Sequence, residues 1–532
     1  MSMKKKLVSV LLAAAMAMTV LPVTAAAEGN SLTYAISSEC ETLDPGMCNY
    51  LGSSGMIMNL FMGLYRADST GAALTNGCAE SYEVSEDGKT YTFHLYDDVL
   101  WSDGTPVTAG DFEYSWKRML DPATASPAVR DLFDIKNAEA YNTGECSIDE
   151  VGIKATDDTT LVVELENPTS YFIEKTAVAS LSPVNKAAVE GSSTWSQKAE
   201  TFVNNGAFIV EEINPEESYV LKKNPNYKYA DEVKLDGVKV VFMAQGTSTL
   251  TALKNGEIDM TNNISTQAQA EFSGTDQLLD FDCLGTSYYD INCENLTDAR
   301  ARKAMSMALD RDTITQSLVA SKPKPATGFV PAGLSYYDSD DDYRTVVGDL
   351  ITYDVDGAKE LLEEAKADGF DADATYEIII KNDDELKLIA QAMQAMWKQN
   401  LGLNFTITTY ESGSYWDEFY DGNFDVAFDG WTGDYDDPNT MLECFTQKAC
   451  ATQNRWSGEK AEEYDQIIAD CATMTDQTER YAKFAEAEKI LMDESPILPL
   501  YYRKSQLLVG TNVAKAVNDT LGHTLLMYTE LS

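Results

Sequence analysis

The chain has 532 residues, 44% of them apolar, and a formal net charge of −46. That length calls for two or three core-bearing lobes. A surface this acidic repels nucleic acid and anionic membrane alike and excludes both as partners.

Residues 1–27 read as a secretory signal peptide. Lys4, Lys5 and Lys6 precede an apolar run from Leu7 to Val23, and Ala25-Ala26-Ala27 offers a small-residue cleavage site before Glu28. The run is too short to span a membrane. The first cysteine, Cys40, lies well past it, so no lipid anchor is expected, and the mature chain is placed in the periplasm or secreted. Alternation then predicts strands at Ser31 to Ile36, Tyr91 to Leu95, Thr160 to Leu165, Tyr219 to Lys222 and Lys239 to Phe242. Helical spacing follows at Asp298 to Ala308 and Asp356 to Ala367, with Asp310 to Thr313 reading as a capped helix start. Strands at Tyr376 to Ile380 and Phe405 to Thr409 alternate with helices at Leu386 to Asn400, Ala461 to Ala472 and Gln477 to Glu494. This interleaving predicts an α/β protein with largely buried sheets. No Pro/Ser linker divides the chain, which favours lobes sharing a hinge. The stretch 285–500 reads as one helix-rich lobe.

Motifs for catalysis are missing. His94 lies on a predicted strand face opposite Phe93 and reads as structural. No serine sits in a Gly-x-Ser-x-Gly elbow, and there is neither a phosphate-cradling glycine loop nor a His-Glu-x-x-His. Acid pairs such as Asp97-Asp98, or the run Asp340-Asp341-Asp342, arise by chance among 86 acids. Two histidines and no Cys-x-x-Cys argue against a metal site, and no cofactor is expected. Nine cysteines fall in a compartment where disulfides form. Connectivity is open, and Cys444 with Cys450 is the candidate pair.

The most informative segment is Gly430-Trp431-Thr432-Gly433-Asp434-Tyr435-Asp436-Asp437-Pro438, which follows the strand-like Phe424 to Phe428. Glycines bracket an aromatic and acidic turn, and Pro438 stops the strand. A carboxylate held against an aromatic wall needs a partner, and an ammonium group is one. As a calcium loop the acids fail, because the glycine and terminal glutamate are absent.

Other segments join this one. They are Glu41-Thr42-Leu43-Asp44-Pro45, Asn59 to Leu64, Cys78 to Tyr82, Asp87 to Leu95, Trp101 to Ala109 with Asp111-Phe112, Asn205 to Phe208, Gly256 to Met260 and Asp298 to Asp312. In order and spacing the chain resembles the oligopeptide-binding protein family, the extracytoplasmic solute receptors (family 5) of ABC importers. The resemblance implies a two-lobed periplasmic-binding-protein-like fold of class II type with an additional inserted domain. It divides the chain into lobe I at 28–61, 186–284 and 503–532, the inserted domain at 62–185, and lobe II at 285–502. Hinge crossings are expected near Gly285 and Tyr502.

The same resemblance implies an oligopeptide ligand, an importer permease as partner, and a monomer. It makes Asp434 the acceptor of the peptide ammonium, Trp431 a pocket wall, and Tyr288 the opposite lining. Main-chain groups of Thr432 and Gly433 pair with the ligand as an added strand. Asn49 stands where a relative carries a second acid. Asp436 and Asp437 are expected to shape the turn or face water. Relatives that take short peptides meet the ligand carboxylate with basic groups, but the aligned positions here are Val319, Leu386, Phe419 and Phe428. Lys322, Lys324, Lys387 and Arg130 are the substitutes in view. Phe419 and Phe428 suit a sugar or an apolar side chain, so an oligosaccharide, nickel chelate or haem is the alternative cargo. A secreted hydrolase is the alternative from another class.

Overall fold

The computed structural model describes residues 29–532 except Gln245, Asp338 and Asp340; the expected signal peptide lies outside the described residues. Ten strands make one mixed sheet. They are β1 (Ser31–Ile36), β2 (Phe208–Asn214), β3 (Ser218–Lys223), β4 (Gly237–Phe242), β5 (Met260–Thr261), β6 (Leu278–Ile291), β7 (Thr375–Lys381), β8 (Asn404–Tyr410), β9 (Val426–Thr432) and β10 (Ile497–Val509). Their order across the sheet is β8-β7-β9-β6-β10-β5-β1-β4-β3-β2. β1 runs parallel to β4 and β5, and β7 parallel to β8 and β9, while β6 is antiparallel to β9 and β10.

Two long strands join the halves of this sheet. The first part of β6 pairs with the last part of β10, from Leu278 opposite Leu508 to Asp282 opposite Lys504. Pairing resumes at Thr286 opposite Tyr502. The register slips between these points, leaving Cys283, Leu284 and Gly285 of β6 and Arg503 of β10 without partners across this ladder. Slips of this kind add local twist and bend the strands.

The apolar cores fall on either side of the slip, giving the two-lobed α/β fold. One core gathers Leu32, Phe208, Val240 and Leu507. On the other side, Ile291, Ile378, Trp397 and Leu498 form a second, and Phe329, Phe445, Phe484 and Ile497 a third. A separate four-stranded antiparallel sheet runs in the order Ala79–Val84, Thr90–Leu95, Thr160–Glu164, Ile153–Ala155. Its Phe93 and Leu161 join the first core, so it shares that core with the first lobe. The helix Ala109–Leu120 covers it, started by a reciprocal capping box of Thr108 and Asp111. Its buried Trp116 donates from Nε1 to the Leu181 carbonyl at 2.9 Å. His94 is half-buried on the face opposite Phe93, as alternation predicted.

The expected cap at Asp310 is also present. Its carboxylate accepts from the Thr313 amide at 2.9 Å and satisfies one orphan donor of the helix Arg311–Ser317. Asp310→Ala is expected to cost about 1 kcal/mol in urea unfolding with an unchanged m-value.

Candidate ligand-binding cleft

β9 is held antiparallel to β6, with Thr432 opposite Gly285. The Gly433 amide carries the pairing one residue further, donating to the Leu284 carbonyl at 2.7 Å. Antiparallel pairing alternates, so the main-chain groups of Thr432 and Gly430 point away from β6 toward an open edge. β7 reaches only Val426 and Ala427 on that side. Beyond Gly433 the chain turns on Thr440, whose carbonyl accepts from Trp431 Nε1 and whose hydroxyl accepts from the Asp434 amide, each at 2.8 Å. A side chain at Gly433 would strike Thr440 Cγ2 at 2.8 Å, so this close approach needs glycine.

The three carboxylates of the turn differ. Asp437 is buried and accepts both Arg480 Nη1 (2.6 Å) and Nη2 (2.9 Å), a bidentate pair that ties the turn to the helix Gln477–Glu494. Asp436 accepts the Ser335 amide and hydroxyl. Among the described residues, nothing donates to the Asp434 carboxylate. It opens on a cleft of about 1390 Å³, larger than the ~300–1,000 Å³ usual for small ligands. Crowding by protein is the main cause of its raised pKa, about 6; Asp131 pushes it further up, while Lys175 and His523 oppose the rise. Because the side chain also meets water, solvent screening trims the energetic weight of this shift.

The facing wall is acidic too. Burial raises Glu174 to about 8, with Asp436 and Asp437 adding to the effect across the cleft. On the turn's own side, Glu443 accepts from Asn439 Nδ2 at 2.9 Å and is raised by burial to about 7. Lys175 is bound to Asp134. At the rim, Tyr171 stacks on Tyr435 with centroids 4.6 Å apart and planes 5° apart. The Tyr171 hydroxyl accepts from Asn439 Nδ2 at 3.4 Å, so the rim is bridged twice.

Several expected site residues lie elsewhere. Trp431, Thr432, Gly433, Asp434 and Asn49 line the cleft. Tyr288 does not: it is buried between Phe329 and Phe445 at centroid distances of 5.5 and 5.7 Å. Phe419 stacks on Phe424 at 5.3 Å in a closed aromatic cluster, and Phe428 packs edge-on against Tyr289 at 5.4 Å. Strand alternation turned the Tyr288 and Phe428 rings toward the core, and Phe419 lies on the buried face of the helix Ser412–Asp421. Val319 and Leu386 are core residues as well. The Gly433 amide is already spent on Leu284 and the Gly430 amide on the Asp429 carboxylate (2.7 Å), which leaves the main chain of Thr432 and the Gly430 carbonyl open. Cys444 and Cys450 are not bridged. Their thiols donate to the carbonyls of Thr440 and Phe445 respectively, and all nine cysteines are free.

Of the substitute cations, Arg130 lines the cleft, whereas Lys324 pairs with Asp282 and Lys387 with Asp384. Sequence reading missed Glu174, Tyr171, Arg503 and His523, all cleft-lining. No local motif announces them. Only Arg503 leaves a trace, as a charge inside the apolar run that begins at Ile497.

The comparisons with known proteins match this architecture. Residues 73–453 fit the model for bacterial extracellular solute-binding proteins, family 5. The chain belongs to this family. It is 34% identical over 483 residues to the oligopeptide-binding protein OppA of Bacillus subtilis, covering 89% of this chain and 87% of that one. Among solved structures, the unliganded open form of the periplasmic murein tripeptide-binding protein MppA superposes with a TM-score of 0.79 at 29% identity, covering 95% of this chain and 98% of the other. Haemophilus influenzae OppA in complex with RPPGFSPFR gives 0.73 at 28% identity, covering 95% and 99%.

One arrangement in this family 5 protein looks catalytic. Ser54 Oγ lies 2.9 Å from His523 Nε2, and His523 Nδ1 lies 2.8 Å from Asp519 Oδ2. Ser54 Oγ also donates to the Leu51 carbonyl at 3.0 Å, within the first turn of a helix. That proton is spent on the helix. Burial opposes charge on His523, yet Asp519 outweighs it and raises the imidazole pKa. With its proton on the Leu51 carbonyl, the serine hydroxyl has none to hand to the imidazole, so the arrangement does not activate a nucleophile.

Arg480→Met, which leaves Asp437 charged and unpaired in the interior, is expected to lose about 3–5 kcal/mol in urea unfolding. Asp434→Asn removes a carboxylate whose folded pKa lies above its unfolded one. Charging that group opposes folding between pH 4 and 6 and at all higher pH. The variant is expected to raise the Tm of ligand-free protein at pH 8 and to leave it unchanged near pH 4, as read by calorimetry.

Proposed function

We propose that this chain is an extracytoplasmic receptor that captures oligopeptides between its lobes and delivers them, as a monomer, to an ABC importer permease. The observation that carries the reading is Asp434, the one acid of its turn left without a protein donor, set in the cleft beside an open strand edge. A peptide ammonium supplies the missing charge in a charge-assisted contact. The free main-chain groups of Thr432 and the Gly430 carbonyl supply strand-like pairing that ignores side-chain identity. The lobe boundaries expected from the family's pattern belong to this proposal, with movement about the register slip near Gly285 and Arg503. So does export, directed by the signal peptide read at 1–27.

Phe419 and Phe428, the residues that spoke for a sugar, lie in the core and no longer support a non-peptide cargo. In the hydrolase alternative, Ser54 would have to attack, and its proton is already committed to Leu51. We read the protein as binding without turnover.

Calorimetry with randomised di- to pentapeptide libraries tests the reading. Wild type is expected to bind, N-acetylated libraries to bind at least about tenfold more weakly, and Asp434→Asn to lose that discrimination. Equal affinity for free and acetylated peptides in wild type would remove the role of Asp434. Acidification follows the Asp434 pKa of about 6. The charged form that binds ammonium is lost as pH falls, so affinity at pH 5 is expected to be about tenfold below that at pH 7.5.

A further inference from the structure

The cleft also holds a cation with no acid partner. Arg503 stands where β10 slips out of register with β6, and its side chain crosses β6 to reach β9. Two glycines clear its path. A Cβ at Gly285 would lie 3.0 Å from Arg503 Cδ, and one at Gly430 would lie 2.0 Å from Arg503 Nη2. Nε donates to the Ser287 hydroxyl at 3.2 Å and Nη1 to the Thr432 hydroxyl at 3.0 Å. Nη2 has no acceptor among the described residues. Arg503 forms no ion pair there either, although acids outnumber Lys and Arg by 86 to 40 in this chain. Asp429 senses its charge without pairing with it. An unpaired guanidinium in a slot built for it, at the floor of a ligand cleft, is a receptor for an anion.

Position also matters. Residues two apart on a strand share a face, so Gly430 lies on the face of Phe428. That face is where the expected basic group is missing, and Arg503 delivers a positive charge to it from a different strand. The five residues from Gly430 to Asp434, four steps of chain, span at most about 14 Å. An anion site and an ammonium site this close fit the two ends of one short zwitterion.

Building on the peptide reading above, we propose that Arg503 binds the C-terminal carboxylate of the ligand while Asp434 binds its ammonium group. The cleft then selects peptides of roughly two to four residues, whose extended length matches this spacing.

The test uses matched randomised tripeptide libraries with free, C-amidated or N-acetylated ends, titrated into wild type, Arg503→Gln and Arg503→Lys by calorimetry. Wild type is expected to prefer the free acid over the amide by about ten- to a hundredfold. In Arg503→Gln that ratio falls toward one while the preference for a free amine persists; Arg503→Lys keeps part of the ratio. Each ratio is taken within one variant, so a general loss of affinity does not imitate the effect. If Arg503→Gln does not fold, Gly430→Ala, which displaces Nη2, provides the same readout. An acid-to-amide preference absent from wild type, or intact in Arg503→Gln, overturns the assignment and leaves the peptide reading standing. Binding of none of the three libraries overturns both.

Discussion

Two strands, β6 and β10, carry the whole molecule. Each contributes to both halves of the ten-stranded sheet, and their shared ladder breaks between Asp282/Lys504 and Thr286/Tyr502. The cores on either side have no other strands in common. Within the sheet, the two cores are connected through residues 283–285 and 503. The same break frees Leu284 to accept from Gly433 and lets Arg503 turn into the cleft. The register break and the floor of the cleft are therefore one piece of backbone.

Around that floor the protein accepts an electrostatic cost. Asp434, Glu174 and Glu443 crowd carboxyl groups into a confined space, where burial raises each pKa to between about 6 and about 8. The opposing cations are few, and Lys175 is already bound to Asp134. By contrast, the groups that shape the turn are fully paired. Asp437 with Arg480 and Asp436 with Ser335 fix the backbone so that Asp434 can be left unsatisfied. Polar groups satisfied in the support and unsatisfied at the site mark a surface preorganised for a charged ligand.

Much of this was legible in the sequence. The strand Ser31–Ile36 and the helix Gln477–Glu494 showed because each has one wet face and therefore a clear period, and Thr375–Lys381 showed through its run of β-branched isoleucines. β6 was missed because residues 283–291 are buried throughout, so no alternation shows. β10 was missed for the same reason, its first six residues being buried without alternation. The turn at 430–438 declared itself through local chemistry, glycine and acid next to tryptophan. The errors at Tyr288, Phe419 and Phe428 share a cause. An aromatic near a binding segment in sequence still has two sides of its strand or helix to choose from, and here each packs against the core. The opposite wall, with Tyr171 and Glu174, comes from residues more than two hundred positions away and had no sequence signal linking it to Asp434.

The stack of Tyr171 on Tyr435 has one more consequence. Such a pair contributes about 0.5–1.5 kcal/mol beyond simple burial. It joins the two sides of the cleft through protein alone, before any ligand arrives. Any form in which the cleft stands open must break this stack, which weighs against opening in the empty protein by roughly two- to tenfold. The rings therefore add to the cost of emptying the cleft as well as to that of filling it.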